Sequence, residues 1–261
     1  MVGDAGSAVP ALAGVSREQW AGLARQRIFF GHQSVGRNIM DGVGDVLAAA
    51  PQIRLSVIES KNLDSGALPG FYHAKVGRNR YPIEKVDEFV RVAERAFPRG
   101  GIAMVKLCYV DVQPDTDPRA LFEAYRQRVE TLHSARPGLT ILHFTMPVTR
   151  PEGHLSYWKK KLRGEGTERD LNIVRNRYNA LLRQAYDGRE PVFDIARIES
   201  TAPNGSRAFF SRGADTVYVM APDYSDDGGH LNPAGRRLVA EQLLILLART
   251  ASEDSQAFGS S

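Results

Sequence analysis

The stretch "RIFFGHQSVGRNIMDGV", residues 27–43, starts as a short apolar run, breaks at a glycine and resumes with apolar residues at helical spacing. Residues 27–30 have the composition of a strand, whereas Val35, Ile39, Val43, Val46, Leu47 and Ala50 fall near one face of a helix. Strand, break and helix make the opening of an α/β unit, and the chain repeats that rhythm. Apolar β-rich runs recur at 53–58 ("IRLSVI"), 102–110 ("IAMVKLCYV"), 139–146 ("LTILHFTM") and 191–196 ("PVFDIA"), giving five candidate strands. Between them Ile83, Val86, Val90, Ala93 and Phe97 share a helical face, and further helices are expected over 118–135, 168–187 and 233–249. Thr167 and Asp170 are spaced as a capping box, and Asn232 followed by Pro233 suits an N-cap and first helical position. Nearly continuous apolar strands alternating with helices predict a parallel sheet covered on both faces and joined by right-handed crossovers. The fold class expected is α/β: a three-layer α/β/α sandwich around a central, mostly parallel five-stranded sheet.

At 261 residues the chain suits one domain and is long enough to bury a sizeable core. The expected organisation is a flexible N-terminal segment (1–15), a single folded domain (16–250) and a flexible tail (251–261). Hydrophobic content of 43% and charged content of 25% exclude a disordered or fibrous chain. The formal net charge of +4 is small for this length, and Lys and Arg are scattered apart from "YWKKKLR" at 157–163, so nucleic acid is not an expected partner. That cluster reads either as a solvated loop or as a grip on an anionic polymer. Cys108 is the sole cysteine and excludes an intramolecular disulfide. No apolar run approaches the roughly 18–20 residues of a transmembrane helix, so no membrane span is expected. The N-terminus lacks the basic start and long apolar stretch of a signal peptide. It reads as a linker or as the stub left by a removed export signal, and the compartment stays open. Residues 59–82 and 147–166 are long, polar and turn-rich, which marks them as functional or mobile loops.

In open α/β sheets ligands bind beyond the carboxyl ends of the strands. Ser34 stands there, just past the first strand and at the start of a helix whose first amides lack intrahelical partners. Two readings fit, a helix N-cap and a nucleophile. "GHQSVG" narrowly misses the G-x-S-x-G elbow, because Gly31 lies three residues before the serine and not two. A nucleophilic serine needs a base, and the base needs a carboxylate to fix its tautomer. "APDYSDDGGHLNPAGRRL", 221–238, offers both: Asp227 and His230 lie three residues apart in a Gly-rich turn before the last helix. The alternatives are a surface histidine and an acidic turn that is solvated or binds calcium. No His, Cys, Asp or Glu group has zinc-ligand spacing, and there is no Walker or dinucleotide glycine motif.

Serine after the first strand and Asp-x-x-His before the last helix resemble the SGNH (GDSL-type) hydrolase superfamily of serine esterases, lipases and carbohydrate deacetylases. The resemblance implies a three-layer, flavodoxin-like α/β fold, with Ser34 as nucleophile, His230 as general base and Asp227 as its orienting partner. It further implies an oxyanion hole in which the Ser34 amide is joined by that of Gly77, in "AKVGRN", with Gly70 in reserve. The chain departs from the family in having "GHQS" for Gly-Asp-Ser and "CYVD" for Gly-x-Asn-Asp, so that Val110 stands where an oxyanion-binding asparagine belongs. Asn79 is the preferred substitute, with Asn38 and Gln33 behind it. His32, His73, Tyr109 and Asp111 are candidate substrate contacts, while His133 and His143 read as surface or structural residues.

The function so implied is hydrolysis of an ester through an acyl-enzyme on Ser34, the substrate being a small-molecule or glycan ester such as an O-acetylated carbohydrate or another polar alcohol. The mechanism needs no metal and no organic cofactor. Acyl transfer to a polysaccharide hydroxyl would use the same three residues. A non-catalytic glycan- or partner-binding domain could use the same scaffold.

Overall fold

The computed structural model describes residues 11–258. Its first helix, α1 (Arg17–Ala24), is closed by a Ser16–Gln19 capping box. Strand β1 (Arg27–His32) leads directly into α2 (Ser34–Ala49), followed by β2 (Val57–Glu59), β3 (Gly70–Lys75) and α3 (Pro82–Ala96). Then come β4 (Gly101–Val105), α4 (Pro118–Ala135), β5 (Leu139–Phe144), α5 (His154–Leu162) and α6 (Glu168–Tyr186). The chain continues with β6 (Val192–Phe193), α7 (Ile195–Ser200), the hairpin β7 (Phe209–Arg212) and β8 (Asp215–Tyr218), and α8 (Pro233–Phe258).

Six strands form one sheet in the order β2-β3-β1-β4-β5-β6, and every pairing in it is parallel. Without the edge strand β2 the order is that of a flavodoxin-like doubly wound sheet, with its switch point between β1 and β4. Side chains alternate across the pleat. Ile28, Phe30, Ile102, Met104, Leu142 and Phe144 enter one core beneath α1, α2, α7 and α8. Phe29, Ala103, Val105 and Ile141 enter the other beneath α3, α4 and α6. The result is the three-layer α/β/α sandwich.

The sheet has six strands where five are expected, and the difference lies at 53–75. Of the expected 53–58 strand only the last two residues form, as the start of the short edge strand Val57–Glu59. The strand beside β1 is "GFYHAK" at Gly70–Lys75, inside a stretch expected to be loop. It tolerates its polar groups because each finds a partner: the His73 ring meets His32, and Tyr72 Oη donates to the Leu68 carbonyl. The last expected strand is cut to two residues, because Asp194 accepts from the Arg197 amide and starts α7. The 147–166 segment contains α5, and α8 runs to Phe258, into the stretch expected as a flexible tail. At the other end, residues 1–10 of the expected flexible segment lie outside the described residues, whereas Val15 is buried and Leu12 packs on the core.

Candidate active site

The β1–α2 junction is held from both sides. The Val76 amide donates to the His32 carbonyl and the Lys106 amide to that of Gly31, extending the sheet bonds past the end of β1. Gln33 Nε2 then donates to the carbonyls of Val76 and Gly77, at 2.9 and 2.8 Å, and pins the start of α2 to the β3–α3 turn. Gln33 itself occupies the N-cap position, and no side chain caps this helix. The N-cap reading of Ser34 is therefore corrected: Ser34 is the first helical residue, and its Oγ lies 3.3 Å from His230 Nε2. First-turn amides have no acceptor within the helix, and the helix dipole places positive potential there.

His230 comes from the loop between β8 and α8. Asn232 caps α8 by accepting from the Gly235 amide, and its Nδ2 donates to the Asp223 carbonyl, so the loop is tied down where it meets the helix. Asp227 Oδ1 accepts from the amides of Gly229 and His230, both at 2.8 Å, and from Ser225 Oγ. Its Oδ2 accepts from His230 Nδ1 at 2.8 Å. The Gly229 amide, followed by the His230 amide and imidazole, holds the Asp227 carboxyl well below the usual carboxylate range, against a smaller upward push from burial. An ionised Asp227 requires the imidazole proton on Nδ1, which leaves the Nε2 lone pair to accept from the Ser34 hydroxyl.

Tyr109 is half-buried beside this loop and supports it. Its ring meets His230 edge-on at 5.8 Å, and a Cβ at position 229 would come 2.9 Å from its Cζ and Oη, so any larger residue there would displace the Tyr109 ring. The Tyr109 carbonyl accepts from Nε and Nη2 of the buried Arg175, whose Nη1 donates to Thr149 Oγ1, Glu168 Oε2 and Asn172 Oδ1. Arg150 adds a second brace, its amide donating to the Gly228 carbonyl and its Nη1 to that of Ser225. Sequence reasoning passed over Arg175 and Arg150, which look like ordinary surface cations until the fold buries or bonds them.

Several other expected site residues are placed elsewhere. His32 and His73 are buried and face one another, His32 Nε2 to His73 Nδ1 at 3.0 Å. His32 Nδ1 donates to the Gln33 carbonyl, so His32 Nε2 is the acceptor and His73 supplies the proton between them. Burial pushes His32 down to about 3 and also lowers His73. Both lie beneath the junction as neutral packing groups and do not line a substrate pocket. Asp111 is likewise internal: it pairs with the fully buried Lys85 at 2.6 Å and accepts from the amides of Cys108 and Arg80. The Gly77 amide, expected in the oxyanion hole, donates to Glu88 Oε2 at 2.7 Å. Its φ of +56° places it in a left-handed turn where a Cβ would strike the Lys85 backbone, so its role is the turn itself. Gly70 begins β3, with its amide on the Gln26 carbonyl. Asn79 is exposed and its Oδ1 accepts from Lys85 Nζ at 3.0 Å, which fixes its carboxamide. His143 is structural, stacked on Tyr186 and bonded to Tyr125 and Glu190.

Among the described residues no group of three or more His, Cys, Asp or Glu is arranged to hold a metal ion, and no helix is long and apolar enough to cross a membrane. A cleft of about 620 Å³, lined by Arg25, Arg27, Arg99 and several glycines, opens at the amino-terminal edge of the sheet, opposite Ser34.

No protein-family model matches the chain, and no curated protein matches it. Among solved structures it is similar to a protein from Streptococcus pneumonia provisionally described as a platelet activating factor, at 11% identity, covering 90% of this chain and 94% of that one, TM-score 0.48. It is also similar to an acetyl esterase mutant with bound acetate, at 15% identity over 87% of this chain and 97% of that one, TM-score 0.44. A third similarity is to the OSK domain of Drosophila Oskar, at 14% identity over 84% and 86%, TM-score 0.42. Likeness at this level assigns no role, which falls to the geometry of the site.

Proposed function

We propose that this chain is a serine esterase of SGNH type, acting on an O-acyl ester of a carbohydrate or another polar alcohol. The observation that carries the reading is the continuous chain Asp227–His230–Ser34, with links of 2.8 and 3.3 Å, drawn from the two ends of the domain. In the reaction, His230 Nε2 takes the Ser34 proton as Oγ attacks the ester carbonyl, and Asp227 holds the imidazolium that forms. The tetrahedral oxyanion is received by the Ser34 amide at the positive end of α2, and the Asn79 carboxamide is the residue we assign as the second donor. His230 then gives its proton to the departing alkoxide, leaving an acyl-Ser34 ester. Water, deprotonated by the same nitrogen, attacks that ester; the intermediate breaks at the acyl–Oγ bond, His230 returns the proton to Ser34 Oγ, and the acid is released.

The commitment of the Gly77 amide to Glu88 and the valine at position 110 favour one alternative, a non-catalytic domain that binds a glycan or another partner. The two readings separate on 4-nitrophenyl acetate. The esterase reading expects turnover by the wild type and near-complete loss in folded Ser34→Ala and His230→Ala. Equal inactivity of all three folded proteins would favour binding alone. With an acylated sugar as donor and a second sugar as acceptor, product analysis distinguishes hydrolysis from acyl transfer.

A further inference from the structure

The ten residues 154–163, "HLSYWKKKLR", contain four cations and no acidic residue, and nine of them form α5. Leu155, Trp158 and Leu162 are spaced i, i+3 and i+7, which gathers them within an arc of about 60° on the helix. They are 79%, 53% and 87% exposed, an outward apolar stripe in which every member is large. The opposite side of α5 meets the protein: Lys160 pairs with Glu152, and Tyr157 packs under the Arg169 guanidinium at 5.1 Å. Arg169 also covers Phe210 of the β7–β8 hairpin, whose neighbour Phe209 is exposed as well. By helical position Lys159 and Arg163 flank the stripe. Lys161 lies on its other side and is held within the protein by Asp170 at 2.8 Å.

We propose that α5 is an interfacial anchor that docks on an anionic phospholipid surface, with Leu155, Trp158 and Leu162 entering the headgroup–acyl boundary and Lys159 and Arg163 meeting the phosphates. An apolar crest containing tryptophan and edged by lysine is the chemistry of an in-plane helix. A soluble polyanion would use the cations and leave the crest in water. A second copy of this chain would bring like-charged helices together, so charge complementarity selects the lipid. The anchor is joined to the candidate active site through Arg150, four residues before α5, which bonds the carbonyls of Gly228 and Ser225. Docking therefore carries the 225–230 loop to the surface with it. The inference goes beyond the esterase reading and does not depend on it, because its readout is binding.

The test uses the full chain with vesicles of equal parts phosphatidylglycerol and phosphatidylcholine, and with phosphatidylcholine alone. The chain has two tryptophans, and Trp20 is buried, so an emission blue shift on adding vesicles reports Trp158. The expected result is co-sedimentation with the anionic vesicles accompanied by that shift. Leu155→Ser/Leu162→Ser should abolish both, and Lys159→Glu/Arg163→Glu should weaken binding at least about tenfold. These side chains are exposed, so unchanged thermal melts would exclude misfolding. Absence of binding to anionic vesicles, or unaltered binding by the double serine variant, would overturn the proposal. Equal binding to soluble dextran sulfate without a blue shift would overturn it in favour of a polyanion. A serine-sensitive dimer in sedimentation velocity without vesicle binding would overturn it in favour of a second copy.

Discussion

Replacing Asp227 by asparagine keeps the size of the side chain and removes one acceptor. In the native loop Oδ1 takes two backbone amides and Oδ2 takes His230 Nδ1, all at 2.8 Å. An asparagine has one oxygen. Leaving that oxygen on the two amides preserves more bonds, and it turns the NH2 group toward His230 Nδ1. The ring must then present a lone pair at Nδ1 and carry its proton on Nε2, where it donates to Ser34 Oγ and can no longer accept from it. The corresponding exchange in well-buried Ser-His-Asp sites lowers kcat about 10⁴-fold. Here the side chains of His230 and Asp227 are 43% and 59% exposed, so water screens the carboxylate and eases interconversion of the tautomers. The expected loss is smaller, about 100- to 1000-fold in kcat with KM little changed. Steady-state kinetics on 4-nitrophenyl acetate measure it, with circular dichroism as the check on folding. A folded Asp227→Asn variant that keeps more than a tenth of the wild-type kcat would refute the reasoning.

Two further predictions concern buried charge. Lys85→Met leaves the Asp111 carboxylate buried with only the Cys108 and Arg80 amides as donors, a loss expected at roughly 3–5 kcal/mol. Urea denaturation reads it, and a change under about 1 kcal/mol would show that the pair is not needed. Glu199 is fully buried, its Oε2 accepts from the Val148 amide, and burial pushes its carboxyl up to about 8. Its folded value lies above the unfolded one, so its stabilising contribution is complete below about pH 4.5 and falls by about 1.4 kcal/mol per pH unit until the pH reaches the folded value. Glu199→Gln should flatten the stability profile across that window, and parallel profiles for the two proteins would contradict the assignment.

The layers of this fold were legible because strand and helix patterns alternate so regularly: the expected helix at 118–135 matches α4, and Asn232 with Pro233 starts α8. What hid β3 was its polar content. His73 and Lys75 read as loop, and only the fold supplies the buried partner, His32, that makes His73 acceptable in a strand. The "GFY" run preceding it was the available signal. Ser34, Asp227 and His230 could be singled out because their chemistry is local, a serine after a strand and two residues within one turn. The supporting groups could not: Arg175, Arg150 and Lys85 take their roles from backbone carbonyls and carboxylates 26 to 75 residues away. The same holds for Gly77, whose match to an oxyanion-hole glycine carried no information about Glu88, the carboxylate that engages its amide.

The account turns on whether Ser34 Oγ is an activated nucleophile. Exposure of the full chain to a fluorophosphonate, followed by intact mass and peptide mapping, tests this without knowledge of the natural substrate. The account predicts one phosphonyl group per chain, located on Ser34 and lost in Ser34→Ala and His230→Ala. A folded wild-type protein that stays unlabelled, or labelling that persists at another residue in Ser34→Ala, would contradict it.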